Sequence, residues 1–179
     1  MVPYIKILYS LIKITLLKLF SSANINTTGL QIFSYNTRLS FGKQSIITLG
    51  NKIISDGRLS IISDNNSILT LGNNIYFNEG CMISCKSKIV IGSGCQFGPS
   101  VKIFDNDHDF DSKHGVKHTH KTTPIIIGNN CWIGSNAIIL RGSKIGNNCV
   151  IGAGTIIKND IPDNTIITQQ RNLIIRNIN

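Results

Sequence analysis

From residue 127 the chain can be written in sixes: IGNNCW, IGSNAI, ILRGSK, IGNNCV, IGAGTI, IKNDIP. This period constrains the fold more than any other feature. Ile127, Ile133, Ile139, Ile145, Ile151 and Ile157 fall in one phase, and Gly128, Gly134, Gly146 and Gly152 follow four of them. The fifth place is held mostly by small residues, Cys131, Ala137, Ser143, Cys149 and Thr155. Six is neither a helical period nor simple alternation, so amphipathic templates fail, whereas a short-repeat solenoid fits. Three six-residue strands make one triangular coil, with the aliphatic residue pointing inward and the small fifth residue filling the tighter space beside it. Gly or Asn near the corners tolerates the positive φ of a sharp turn. No coil has a core of its own, so stability is a sum over stacked neighbours.

The same phase recurs upstream as Leu71, Phe77, Ile83 and as Ile91, Phe97, Ile103, with a spacing of 20 rather than 18 between the two sets, which implies a two-residue extension. Further back, "ITLGNKIISDGRLSIISDNNSILTLG" keeps the flavour with looser spacing. A length of 179 residues suits one domain with a full core. The expected organisation is an N-terminal amphipathic helix over residues 1–22, an all-β solenoid over 23–168 with a protruding loop at 109–124, and a tail at 169–179.

The segment "VPYIKILYSLIKITLLKLF" is apolar, but Lys6, Lys13 and Lys18 interrupt it, so the ~20-residue apolar span of a transmembrane helix is missing. No cleavage-site pattern follows it. On a helical period Lys6, Ser10 and Lys13 share one narrow sector, and most of the rest is Ile or Leu. Residues 2–20 therefore either pack on the domain or a neighbouring subunit, or lie on a membrane surface.

The net charge of +9 suits an anionic partner, but the cations are scattered with few aromatics between them, which argues against nucleic acid. Five cysteines, Cys81, Cys85, Cys95, Cys131 and Cys149, form an odd set with no secretory signal before them, as expected of buried, reduced thiols in a cytoplasm.

The stretch "IIIGNNCWIGSNAIILRGSKIGNNCVIGAGTIIKNDIPDN", with W-I-G, then I-G-A-G-T, then D-I-P, resembles the C-terminal coils of the hexapeptide-repeat acyltransferases. The branch it is most similar to holds the galactoside and maltose O-acetyltransferases together with capsule, colanic-acid and O-antigen acetyltransferases. The resemblance implies a left-handed parallel β-helix, an exception to the right-handed crossover rule, and homotrimers with active sites between subunits.

All four histidines fall in "NDHDFDSKHGVKHTHKTTP", residues 106–124. Extending the phase from Ile103 puts Asp107 in the inward fifth place and His108 in the outward sixth, after which the pattern lapses until Ile125. A metal site from His114, His118 and His120, an inert loop, a partner-binding loop and a catalytic loop are the competing readings. Solenoidal zinc enzymes of this shape draw their histidines from separate strands and adjacent subunits, which disfavours metal. The resemblance favours catalysis, because the acetyltransferases place their catalytic histidine before such a loop, a proline at its return and a tryptophan in the next strand. His108, Pro124 and Trp132 stand at that spacing. An imidazole with pKa near ~6.5 takes the proton of a sugar hydroxyl as it attacks a thioester carbonyl, and a backbone amide at a strand corner holds the oxyanion. On this reading His114, His118 and His120, with Lys113, Lys117 and Lys121, form a mobile basic flap.

Acetyl-CoA as acyl donor, with no metal, is likewise implied by the resemblance. It assigns Trp132 to the pantetheine arm, the Gly134-Ser135 amides to the oxyanion, Ser135 and Ala153 to backbone contacts, and Lys158, Arg171 and Arg176 to the phosphates. Asn78, Asp105 and Asp107 are the candidate acceptor contacts. The chain departs from the family after D-I-P-D-N, which puts the adenine end of that pocket in question. The expected activity is O-acetylation of a sugar of a bacterial surface polysaccharide or its lipid-linked precursor. N-acetylation of a nucleotide-linked amino sugar and a non-catalytic, glycan-binding solenoid remain as alternatives.

Overall fold

The computed structural model describes residues 3–170. Helix α1 (Pro3–Phe20) is followed by a parallel β-helix of about six turns, of left-handed type. Its three faces are stacks of parallel strands. The first face runs from Asn24–Thr27 through Ile46–Leu49, Ile68–Leu71, Lys88–Ile91, Ile125–Ile127 and Lys144–Ile145 to Asp160–Ile161. The second runs from Gln31–Ile32 to Ile166–Ile167, and the third from Arg38–Phe41 to Ile156–Ile157.

The inward isoleucines of the sixes form a continuous core that Phe77 and Phe97 join as stacked rings, 4.7 Å between centroids. Cys95, Cys131 and Cys149 sit one above another, each buried with its thiol against a carbonyl of the next coil at 3.1 Å. Burial pushes the Cys81 thiol up, and burial with the nearby Asp105 carboxylate pushes Cys85 up to about 12.

The corner between the first and second faces shows why Asn recurs. Lys52, Asn74, Gly94, Asn130, Asn148 and Asn164 each take a positive φ there. Beside them runs a ladder in which each side-chain oxygen accepts the backbone N–H of the preceding coil: Asn73 from Asn51 (2.7 Å), Asn129 from Ser93, Asn147 from Asn129 and Asp163 from Asn147 (each 2.8 Å). Gly94 takes the same positive φ as these asparagines, and a Cβ there would stand 2.3 Å from the Asn130 side-chain oxygen as placed.

Coil length shrinks along the chain. Asn24 sits beside Ile46 and Ile46 beside Ile68, offsets of 22 residues, whereas Ile126 sits beside Lys144, an offset of 18. The looser spacing upstream is thus longer strands and corners, and the expected two-residue extension lies in the coil where Leu71 sits beside Ile91.

Two local expectations change. First, the departure from the coil is an antiparallel hairpin, Asn106–Asp111 paired with Gly115–Thr122, and it begins three residues before position 109. The inward alternation runs Val101, Ile103, Asp105, so Asp105 rather than Asp107 occupies the interior. Second, the hairpin is ion-paired: Lys121 meets Asp109 at 3.2 Å and Lys117 meets Asp111 at 3.0 Å, so those two lysines are not part of a free basic flap.

Helix α1 lies across the open end of the first coil with its polar sector facing in. Ser10, fully buried, donates to the Lys6 carbonyl (2.7 Å) and accepts the Phe33 amide (2.8 Å). Lys13 donates to the Thr37 carbonyl, Tyr9 to the Tyr35 carbonyl (3.0 Å), and Lys6 pairs with Asp56 at 3.5 Å. Ile14 is buried and joins the hydrophobic core. The physical reason is the exposed edge of the first coil: its N–H and C=O groups have no coil above them and need polar partners.

Candidate active site

The site is built at the third-to-first corner after the strand Lys102–Phe104. Asp105 turns its carboxylate into the coil, where it accepts the backbone amides of Lys86 (2.8 Å), Ser87 (2.7 Å) and Lys88 (2.8 Å). Its own carbonyl accepts the Thr123 amide at 3.0 Å and closes the hairpin's base. As a candidate acceptor contact Asp105 is therefore corrected: it is wholly buried and three amides occupy its oxygens. A sheet corner with three backbone donors needs such an anion to avoid leaving them unpaired.

Asp107 emerges on the outside, paired with Arg141, whose guanidinium also donates to Thr123 Oγ1 at 3.2 Å. His108 faces His120 directly across the hairpin, ring centroids 4.5 Å apart and planes 40° apart. A register shift follows between His108 and Phe110, of the kind that re-aims a side chain beside a functional position. The tip is a turn in which Asp111 accepts the amides of Lys113 (2.9 Å) and His114 (2.7 Å) and Gly115 takes a positive φ.

Electrostatics at this root favour the neutral form of His120. Partial desolvation first, then the Lys86 and His108 charges, lower its pKa from the ordinary histidine value. The Lys86 ammonium, 2.9 Å from Asp64, holds that carboxyl below its usual range, and Lys121 does the same for Asp109. Among the described residues, no three His, Cys, Asp or Glu side chains converge as a metal-ligand set.

The remaining predicted residues divide between two edges. Lys158, exposed, lies between the strands Ile156–Ile157 and Asp160–Ile161, on the same edge as His108 and two coils further on. Asn78, Ser135 and Ala153 lie on the second-to-third edge, and exposed Trp132 stands on the second face between Gln96 and Val150. The coils approach closely at that edge: a Cβ on Gly98 would meet the Ser135 nitrogen at 2.7 Å, and one on Gly134 the Ala153 nitrogen at 2.6 Å. Within one chain the third face separates the His108 edge from the Asn78–Ser135–Ala153 edge. Arg171 and Arg176 lie outside the described residues.

Arg141 and His120 as a partner of His108 were missed by sequence reasoning. The turn signal D-S-K-H-G at 111–115 points to a hairpin but, carried down from the tip, its register would pair 108 with 118; the shift between His108 and Phe110 is what brings 120 opposite 108. Arg141 had no sequence signal, because its approach to Asp107 depends on how the next coil stacks.

Residues 124–159 match the family model of the bacterial transferase hexapeptide (six repeats). Nodulation protein L of Rhizobium meliloti (strain 1021) is 42% identical over 94 residues, 52% of this chain and 51% of that protein, so the chain matches about half the length of this relative. The putative lipopolysaccharide biosynthesis O-acetyl transferase WbbJ of Escherichia coli (strain K12) is 26% identical over 143 residues, covering 74% of this chain and 72% of that one. Among solved structures, the S84A mutant of AntD, an N-acyltransferase from Bacillus cereus in complex with dTDP-4-amino-4,6-dideoxyglucose and coenzyme A, superposes with a TM-score of 0.61 at 18% identity, over 86% of this chain and 82% of that one. The repeat phase, the coil geometry and these matches together give the chain the fold of a hexapeptide-repeat left-handed β-helix, with residues 124–159 matching the hexapeptide transferase model and the sequence similar to acetyltransferases.

Proposed function

We propose that the chain is an acetyl-CoA-dependent O-acetyltransferase acting on a sugar hydroxyl of a bacterial surface polysaccharide or its lipid-linked precursor. The observation that carries this reading is His108 at the root of a paired hairpin, its ring against that of His120. The His108 imidazole accepts the acceptor hydroxyl's proton as the oxygen attacks the thioester carbonyl, and returns it to the leaving thiolate. Among the described residues His108 has no Ser or Cys partner and the five thiols are buried, which supports direct transfer.

For the oxyanion we assign the Ser135 amide, since the Gly134 amide is spent on the Ile151 carbonyl at 2.7 Å. Trp132, Ala153 and Lys158 are the donor contacts of this reading, and Asn78 and Asp107 the acceptor contacts. Because these residues fall on two edges with the third face between them, a complete site needs a second copy, which supports a trimer with sites between subunits. Buried, reduced thiols and a CoA donor suit the cytoplasmic side of the cell. O-linkage rests on similarity to relatives named for O-acetyl transfer.

The test is transfer of labelled acetyl from acetyl-CoA to a panel of oligosaccharides. His108→Ala is expected to lose about 10²–10⁴ of the rate, and equal transfer by that variant would remove His108 as base. Alkali-labile product marks an ester. Alkali-stable product marks an amide and transfers the reading to an amino sugar.

A further inference from the structure

Helix α1 is built the opposite way round from an ordinary solenoid cap. Terminal caps of stacked repeats normally show a polar outer face to water. Here the polar sector is consumed by the edge of the first coil, through Lys6, Ser10 and Lys13. The outer face carries Tyr4 (78% exposed), Leu8 (59%), Ile12 (54%), Leu19 (70%) and Phe20 (81%), with Leu16 at its flank. Beside them Lys13, Leu16, Leu17, Phe20 and Ser21 line an open groove of about 350 Å³. Contiguous apolar surface of this kind marks a contact with something else.

Charge says what that contact is. The first 55 residues contain no Asp or Glu, against six Lys and Arg. Two of the six, Lys6 and Lys13, are turned inward. The other four ring the capped end and are exposed: Lys18 at the helix C-terminus beside Thr27, Arg38 where the third face begins, Lys43 at the third-to-first corner and Lys52 at the first-to-second corner. Among the described residues these four make no salt bridge, and the first carboxylate, Asp56, is already neutralised by Lys6. The end of the solenoid is thus an apolar helix face inside a carboxylate-free basic rim.

We propose that this end rests on an anionic lipid surface, with α1 lying in the headgroup region, parallel to the membrane. An apolar helical face flanked by cations matches that environment on both counts, since acyl chains take the Leu and Ile side chains and anionic headgroups meet the rim. Tyr4, at the first turn of the helix, supplies an amphipathic ring of the kind found at interfaces, and Phe20 adds apolar surface at the other end. No helix among the described residues is long and apolar enough to cross the bilayer, so the helix lies on it. A second copy docked cap to cap would instead bring two unpaired basic rims together. With the cap on the surface, the hairpin root three coils above the first stands roughly 25 Å from the membrane plane, from ~4.8 Å per coil and ~10 Å for the helix.

The experiment is co-sedimentation of the full chain with phosphatidylcholine vesicles, with and without phosphatidylglycerol, at low and high salt. Binding is expected only with phosphatidylglycerol, and weaker in salt. Leu8→Ser/Ile12→Ser/Leu19→Ser should lower the partition by roughly a hundredfold or more, and Lys18→Gln/Lys43→Gln/Lys52→Gln by on the order of a hundredfold. Because the native thiols are buried, a bimane label on Leu8→Cys reports insertion directly and should shift to the blue on vesicles. No binding of the unaltered chain, or binding indifferent to the serine variant with no bimane shift, overturns the proposal. Concentration-dependent assembly that the serine variant abolishes, without vesicle binding, overturns it in favour of a second copy. The inference does not rest on the transferase reading: transfer to a soluble sugar reports on His108, and vesicle binding reports on α1.

Discussion

The two ends of the solenoid solve the same problem by different means. From Ile127 to Ile157 the repeat is strict: each strand supplies an inward isoleucine with a small residue near it, and at the first-to-second corner the side chains of Asn147 and Asp163 tie each coil to its neighbour. Toward the N-terminus the coils are longer, the interior adds Phe33, Phe77 and Phe97, and the first edge is tied off by side chains of a helix rather than by another coil. The regular half is held by repetition, the N-terminal end by particular hydrogen bonds. Single substitutions should therefore cost most where a large side chain has no equivalent in the next coil.

Phe97→Ala tests this most severely. It removes a buried ring stacked on Phe77 and is expected to cost about 3–5 kcal/mol in chemical denaturation. Ile151→Ala, in the regular half, should cost less, about 2–4 kcal/mol; a reversed order would mean that the strict repeats carry more of the stability than the aromatic coils.

Asp105→Ala and Asp107→Ala form the sharper pair, because the two aspartates stand two residues apart and do different work. Removing Asp105 leaves three backbone amides without their acceptor and should destabilise by about 2–3 kcal/mol. Removing Asp107 breaks an exposed pair with Arg141 and should cost below ~1 kcal/mol. Comparable losses at the two positions would contradict the inward placement of Asp105.

At the capped end, Ser10→Ala deletes one donor and one acceptor of a buried hydroxyl, with an expected cost of about 1–2 kcal/mol and earlier hydrogen exchange at the Phe33 amide. The smallest effect belongs to His120. Its pKa is lowered in the fold, so the native state binds fewer protons than the unfolded chain. The small stabilisation from its neutral form is present above the unfolded value of ~6.5 and is lost as pH falls below it. A ring-proton NMR titration should place its midpoint below that value; a midpoint above it would contradict the desolvated, cation-flanked environment.

The residue pattern alone carried much of this. Inward isoleucines, small fifth places and corner asparagines follow from a period of six, because only a short coil brings every sixth residue to the same side. His108, Trp132 and Ser135 were legible through spacing and resemblance. The interior role of Asp105 was not, since a repeat phase extrapolated past Ile103 does not reveal that the chain leaves the coil three residues early, just after a position where a carboxylate is needed by the amides of residues 86–88.

The sequence by itself determined a hexapeptide solenoid with an apolar N-terminal helix and a histidine-bearing insertion, because periodicity is a local property that stacking only repeats. Tertiary structure alone decided which way the helix faces, which aspartate is buried, that His108 meets His120, and that the predicted site residues lie on two separated edges. Each of these depends on backbone groups or side chains from distant coils competing for the same partner, and one-dimensional spacing does not record that competition.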